Sequence, residues 1–224
     1  MNCDPIARWY RWLEYAGFGG ELERRRYRFL PEIADARRVL ILGEGDGRFL
    51  AKLVEQARKV GIEDYEFDYV DLSGRMLQLA RERAGTEGVT YHQADALTIP
   101  LPRARYDLIV THFLLDCFEQ ADAERLIARL ADAARPESRW VVSEFREQSQ
   151  GLRGFRVALR GIWAWVWLRG LYFFFRITTG LVTQRVADYH PILERYGFRL
   201  AQSEDARFGL LGSELWARKE IPAP

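Results

Sequence analysis

Cysteine is scarce in this chain, acidic residues are missing from one long stretch of it, and no apolar run reaches the length of a membrane span. Only Cys3 and Cys117 occur, far apart, which excludes a disulfide-stapled scaffold and a cysteine-rich metal centre. No positively charged, apolar, small-residue leader opens the sequence, so a reducing cytosol is the expected compartment. The three histidines fall into no metal-ligand spacing with Asp or Glu, and no metal is expected. Repeats of 20 to 50 residues and low-complexity tracts are absent too, which excludes solenoids and arrays. A net charge of only +1 argues against a surface built to grip nucleic acid. With 224 residues, 48% hydrophobic and 29% charged, the chain has the composition of a globular protein and the length of one α/β domain.

The even charge conceals an asymmetry. Between Glu147 and Asp188 no acidic residue occurs, while Arg153, Arg156, Arg160, Arg169, Arg176 and Arg185 all do; the rest of the chain carries about −5. The first 35 residues read as one or two helices, aromatic around Trp9, Trp12 and Tyr15, broken at Gly19-Gly20 and resumed in ELERRRYRFL up to Pro31. From residue 37 short apolar runs alternate with amphipathic stretches. Strands are predicted at 38–42, 66–71, 88–93, 106–111 and 139–145, and helices at 47–60, 74–84 and 121–134. That alternation implies right-handed crossovers and a mainly parallel, doubly wound sheet. A further helix is expected between Pro191 and Gly197, then two strands at 198–203 and 208–217 close enough to pair antiparallel.

Chemistry concentrates at the strand ends. VLILGEGDGRFL (39–50) is a buried strand, a turn with Gly43, Gly45 and Gly47, and a helix start, an arrangement that lets a ligand lie against bare amides at a helix N-terminus. The dinucleotide fingerprint would have its third glycine at Arg48, so the spacing here is G-x-G-x-G. Asp71 ends the second strand, where a carboxylate can accept from both hydroxyls of a ribose. Leu72 and Met76 follow closely enough to cover an adenine face, and Asp95 with Ala96, just past the third strand, can meet an exocyclic amine. Each acidic residue taken alone also fits a turn cap. Three such elements at consecutive strand ends point to one nucleoside-containing ligand.

These stretches, with YVDLSGRMLQLARER (69–83), HQADALTIPLPRARYDLIVTHFLLDCF (92–118) and ARPESRWVVSEF (134–145), resemble the class I S-adenosylmethionine-dependent methyltransferases, especially the quinone-pathway and small-molecule group. The resemblance covers roughly residues 37–145. It implies a Rossmann-like seven-stranded sheet of order 3-2-1-4-5-7-6 and S-adenosylmethionine as cofactor, with S-adenosylhomocysteine as product. Gly43, Gly45 and Gly47 would border its methionine part, Asp71 its ribose, Leu72 and Met76 its adenine, Asp95 and Ala96 the adenine edge, and Thr111 or His112 the sulfonium. Two positions depart from the family's pattern: Ile41 stands where an acidic residue is usual, and Glu44 where a small one is. Glu44 then either replaces the missing carboxylate or alters cofactor binding.

Methyl transfer needs alignment more than a catalytic constellation, and positioning can supply on the order of 7 to 11 kcal/mol. A hydroxyl or acidic carbon also needs a base, and His112, at the carboxyl end of a central strand, is the candidate. A histidine that only shapes the pocket is the alternative. Asp116 and Cys117 share the next loop. Tyr10, in the N-terminal aromatic helix, is the expected contact from that side. GLRGFRVALRGIWAWVWLRGLYFFFRITTG (151–180) packs eight aromatics between Phe155 and Phe175, but its arginines interrupt any membrane span. It reads as a lid over a hydrophobic acceptor, a peripheral membrane contact, or a homodimer interface.

The expectation is therefore a single domain over 1–224: a helical cover (1–36), a cofactor-binding core (37–147), the lid insert (148–187) and a last helix with a strand pair (188–224). Its predicted activity is methyl transfer from S-adenosylmethionine to O, N or C of a hydrophobic small molecule. An NAD(P)-dependent oxidoreductase and a non-catalytic membrane-surface or partner-binding protein are the rival readings.

Overall fold

A computed structural model describes residues 20–145, 187–206 and 211–218. Tyr10, the aromatic N-terminal helix and the insert 151–180 lie outside the described residues. The elements in chain order are α1 (Glu21–Tyr27), β1 (Arg38–Leu42), α2 (Arg48–Lys59), β2 (Glu66–Asp71), α3 (Gly74–Ala84), β3 (Val89–Gln93), β4 (Tyr106–His112), α4 (Gln120–Ala133), β5 (Ala134–Phe145), α5 (His190–Arg195), β6 (Phe198–Ala206) and β7 (Leu211–Arg218). The strands form one sheet ordered β3-β2-β1-β4-β5-β7-β6. All pairings from β3 to β5 are parallel, and β7 runs antiparallel to both β5 and β6.

The apolar runs explain why the central strands sit inside. In β1, Val39 to Leu42 are all fully buried, as expected where helices cover both sheet faces. Alternation along the strands divides the core in two. Val39, Ile41, Phe67, Tyr69 and Val110 pack against Phe49 and Leu53 of α2. Leu40, Leu42, Ile109 and Val142 pack against Leu126 and Leu130 of α4, with Trp140 and Trp216. The helices follow the same logic, since α2 buries Phe49, Leu50, Leu53, Val54 and Ala57, a stripe of helical period.

Three boundaries differ most from the sequence expectation. β5 begins at Ala134 instead of 139, and the register shift between Tyr106 and Leu108 lies in this added stretch. Pro136 and its exposed neighbours hide a strand at such an irregularity, because proline can sit where the ladder is already broken. β6 also runs on to Ala206, and β7 starts at Leu211.

The strand order reverses between β1 and β4. The chain winds outward from β1 to β3, then returns to β4 on the other side, leaving a crevice above the carboxyl ends of β1 and β4.

Candidate active site

The crevice holds a cavity of about 310 Å³. Its walls include Gly43 and Gly45 after β1, Asp71 and Leu72 after β2, and Met76 in α3. Asp95 and Ala96 after β3, and His112 at the end of β4, also line it. Eight of the residues singled out from the sequence thus meet around one space. Three others among the described residues do not border it: Glu44, Gly47 and Thr111.

The glycines of the first turn have left-handed φ values, +60° at Gly43, +89° at Gly45 and +76° at Gly47. Their surroundings differ. A Cβ at Gly45 would meet no heavy atom within 4 Å, so that backbone faces the cavity, whereas one at Gly47 would lie 2.6 Å from Ala80 Cα. Gly47 therefore serves the close approach of α2 to α3. Gly47→Ala is expected to destabilise the fold by about 2–5 kcal/mol through strain and overpacking, lowering Tm by roughly 5–15 °C. Gly45→Ala keeps the left-handed strain but escapes the overpacking, so it should cost only about 1–2 kcal/mol, lower Tm by roughly 2–8 °C and weaken ligand binding as well. Thermal unfolding of the two variants with and without S-adenosylhomocysteine separates these roles; equal Tm losses would contradict the division.

Glu44 turns under the glycine loop. Its buried carboxylate accepts from the Phe49 backbone N–H (3.2 Å) and the Tyr69 hydroxyl (3.0 Å), placing it at the start of α2 where a negative charge is favoured. Burial pushes its pKa up to about 7, with nearby Arg26 opposing the rise. It supports the turn instead of lining the ligand space. Ile41, at the family's acidic position, is packed in the core.

Asp71 and Asp95 each combine a turn role with a place in the wall. An Asp71 oxygen accepts from Ser73 N–H at 2.8 Å, and an Asp95 oxygen from Leu97 N–H at 2.9 Å. Ser73 in turn caps α3 by accepting from Met76 N–H (3.1 Å), which fixes Met76 beneath the cavity. Leu72, 40% exposed, and buried Met76 supply apolar surface beside Asp71. A carboxylate flanked by apolar surface suits a sugar joined to a flat base.

At the other end of the crevice, period-two alternation decides between neighbours. Thr111 faces the opposite side of the sheet and accepts from Trp140 Nε1–H (3.0 Å), so it belongs to the core. His112 points the other way, its ring edge-on to Phe49 with centroids 4.6 Å apart. It is 1% exposed, and neither ring nitrogen has a hydrogen-bond partner among the described residues. Burial, reinforced by the Arg26 charge, holds its pKa well below the ordinary 6.5, so the imidazole is neutral.

Several wall residues were missed by sequence reasoning, Phe113 and Arg26 foremost. Phe113 adopts φ +54°, rare for a bulky side chain and of the kind found where function holds backbone strain. Arg26 reaches the cavity from α1. Leu114, Cys117 and Phe118 add an apolar flank, and their loop is held by Glu144, whose buried carboxylate accepts from Leu114 N–H (3.1 Å) and Leu115 N–H (2.8 Å). Burial and the neighbouring Asp116 raise the Glu144 pKa. Among the described residues no group of three or more His, Cys, Asp or Glu could hold a metal, and no helix is long and apolar enough to cross a membrane.

Residues 39–137 match the family model of a methyltransferase domain. That stretch, a little under half of the chain, resembles a methyltransferase domain, and the strand order β3-β2-β1-β4-β5-β7-β6 is that of the class I methyltransferase fold. Over 120 residues it is 33% identical to a demethylmenaquinone methyltransferase of Deinococcus radiodurans, covering 53% of this chain and 47% of that protein. The chain thus spans about half the length of that curated relative. The fold of the domain is shared with an S-adenosylmethionine-dependent methyltransferase from Mesorhizobium loti (TM-score 0.64, 21% identity, 92% of this chain and 100% of that one). It is shared too with a 1,6-didemethyltoxoflavin N1-methyltransferase from Burkholderia thailandensis with S-adenosylhomocysteine bound (TM-score 0.63, 16% identity, 96% and 86%).

Proposed function

We propose that this chain transfers a methyl group from S-adenosylmethionine to O, N or C of a hydrophobic, quinone-like small molecule. The observation that carries the reading is the convergence of bare Gly45 backbone, the Asp71 carboxylate and the buried, neutral His112 on one cavity. The demethylmenaquinone methyltransferase relative supports an apolar ring acceptor. So do Phe113, Leu114 and Phe118 in the wall.

The residues fit the cofactor part by part. Open space at Gly45 would admit the amino-acid arm, Asp71 would accept from ribose hydroxyls, Leu72 and Met76 would cover the adenine, and Asp95 and Ala96 would stand at its edge. S-adenosylmethionine supplies a methyl group that is already electrophilic. The chain's share is to bind and align the acceptor, exclude water, and receive a proton at an imidazole nitrogen of His112 as the acceptor's electron pair commits to the methyl carbon. A neutral histidine can do this, whereas a charged one cannot.

The segment 151–180 keeps its sequence-based readings here: a lid over the acceptor, with a peripheral membrane contact or a homodimer interface as alternatives.

Incubation with methyl-labelled S-adenosylmethionine and a panel of reduced quinones, phenols and aliphatic amines tests the reading. Label is expected in an aromatic, apolar acceptor. Transfer confined to small polar acceptors, or none in spite of cofactor binding, would overturn the acceptor assignment.

A further inference from the structure

We propose that Arg26 receives the α-carboxylate of the cofactor's amino-acid arm and so selects against nucleosides that lack it; the assignment rests on the cofactor reading above.

The phase of α1 brings Arg26 inward. Leu22, Arg25, Arg26 and Phe29 recur at helical spacing and are all buried, so the inner face of a helix that looks merely basic includes two arginines. The helix is anchored at this point. The Ser143 and Ser213 hydroxyls donate to the Arg25 carbonyl oxygen (3.3 and 2.9 Å), and Glu204 of β6 pairs with Arg25 (2.9 Å) and with Arg28. Arg26 is thereby held at the cavity wall, 2% exposed, with its guanidinium carbon 5.3 Å from the Phe113 ring centroid. Side chains fixed in this way are preorganised for a ligand.

Charge in the cavity is segregated. Of the wall's carboxylates, Asp71 and Asp95 lie after β2 and β3, suited to hydroxyl and amine donors, and Asp122, in the first turn of α4, is paired with Arg125, whereas the cation lies beside Phe113 and close enough to His112 and Glu44 to act on both. S-adenosylmethionine has one anionic group, its carboxylate, and a guanidinium would repel both the α-ammonium and the sulfonium. Only one orientation along the crevice satisfies both ends, and it puts the carboxylate at Arg26. A guanidinium can meet a carboxylate with two parallel hydrogen bonds. Glu44 lies near enough to feel the Arg26 charge but is drawn to the Phe49 amide and Tyr69, and its raised pKa leaves it partly protonated at neutral pH.

The test is calorimetric titration of wild type, Arg26→Gln and Arg26→Lys with three nucleosides. These are S-adenosylhomocysteine, its decarboxylated analogue that keeps the thioether and amine, and 5′-methylthioadenosine, which lacks the whole amino-acid arm. Wild type should bind S-adenosylhomocysteine roughly tenfold to a hundredfold more tightly than the decarboxylated compound. Arg26→Gln should abolish that preference while holding 5′-methylthioadenosine affinity within about twofold, which also reports a folded site; Arg26→Lys should restore part of it. Equal wild-type affinities for the two thioethers, or a Gln variant that weakens both alike, overturns the assignment and leaves the cofactor reading standing. If none of the three binds wild type, the cofactor reading fails and the assignment with it.

Discussion

His112→Gln should lower kcat for methyl transfer on the order of 100-fold or more, while S-adenosylhomocysteine binds within about twofold of wild type. The reason is positional. His112 has both ring nitrogens unpartnered among the described residues, is sealed from bulk water and borders the cavity. A buried polar group without a partner costs free energy that a purely structural histidine would avoid by bonding to the backbone. The depressed pKa sets the pH profile. A base held below 6.5 stays competent on the acid side of neutrality, so kcat should remain level through pH 6.5 and fall only below it. Stability follows the same sign: unfolded His112 takes up a proton near 6.5 and the folded residue resists it. Its contribution is complete above that pH and is lost as pH falls through it toward the lower, folded value. An unchanged kcat in the variant would reduce His112 to a wall residue.

Asp71→Asn should weaken S-adenosylhomocysteine binding by about 100-fold, the product of two charge-assisted hydrogen bonds to the ribose at about 1.5 kcal/mol each. Asparagine keeps an oxygen for the Ser73 N–H, so the turn and the capped start of α3 survive. Tm without ligand should therefore move by only about 2–4 °C. The combination of lost affinity and retained fold is the signature of a ribose-binding carboxylate. A large Tm loss with unaltered affinity in the folded fraction would mark Asp71 as a turn cap alone.

The parts of the fold legible in the sequence were those governed by periodicity. Val39 to Leu42 form a buried strand because nothing in the run tolerates water, and Pro191 and Gly197 bracket a helix because their backbones suit its ends. The start of β5 was hidden by Arg135, Pro136 and Glu137, whose composition is that of a loop. Within the site, residues named at the strand ends, such as Gly45, Asp71 and Asp95, were found at the cavity because the loops after these parallel strands open onto it. They missed it where side-chain direction decides. Thr111 and His112 are adjacent in sequence, and one residue of alternation sends them to opposite faces of the sheet. Glu44 is drawn under its own turn by the Phe49 amide and Tyr69. Arg26 was obscured by the run RRRYR, which reads as a solvated face. The signal that could have found it was Leu22 and Phe29, whose helical spacing places Arg25 and Arg26 between them on the inward side.

The central claim is that the crevice above the carboxyl ends of β1 and β4 binds the adenine, ribose and amino-acid parts of one sulfonium nucleoside. Calorimetric titration of the wild-type chain with S-adenosylhomocysteine, in parallel with NADH, tests it most directly. Saturable binding of one S-adenosylhomocysteine per chain, with no heat from NADH, is the expected result. Binding of NADH in its place, or of neither compound, would contradict the account.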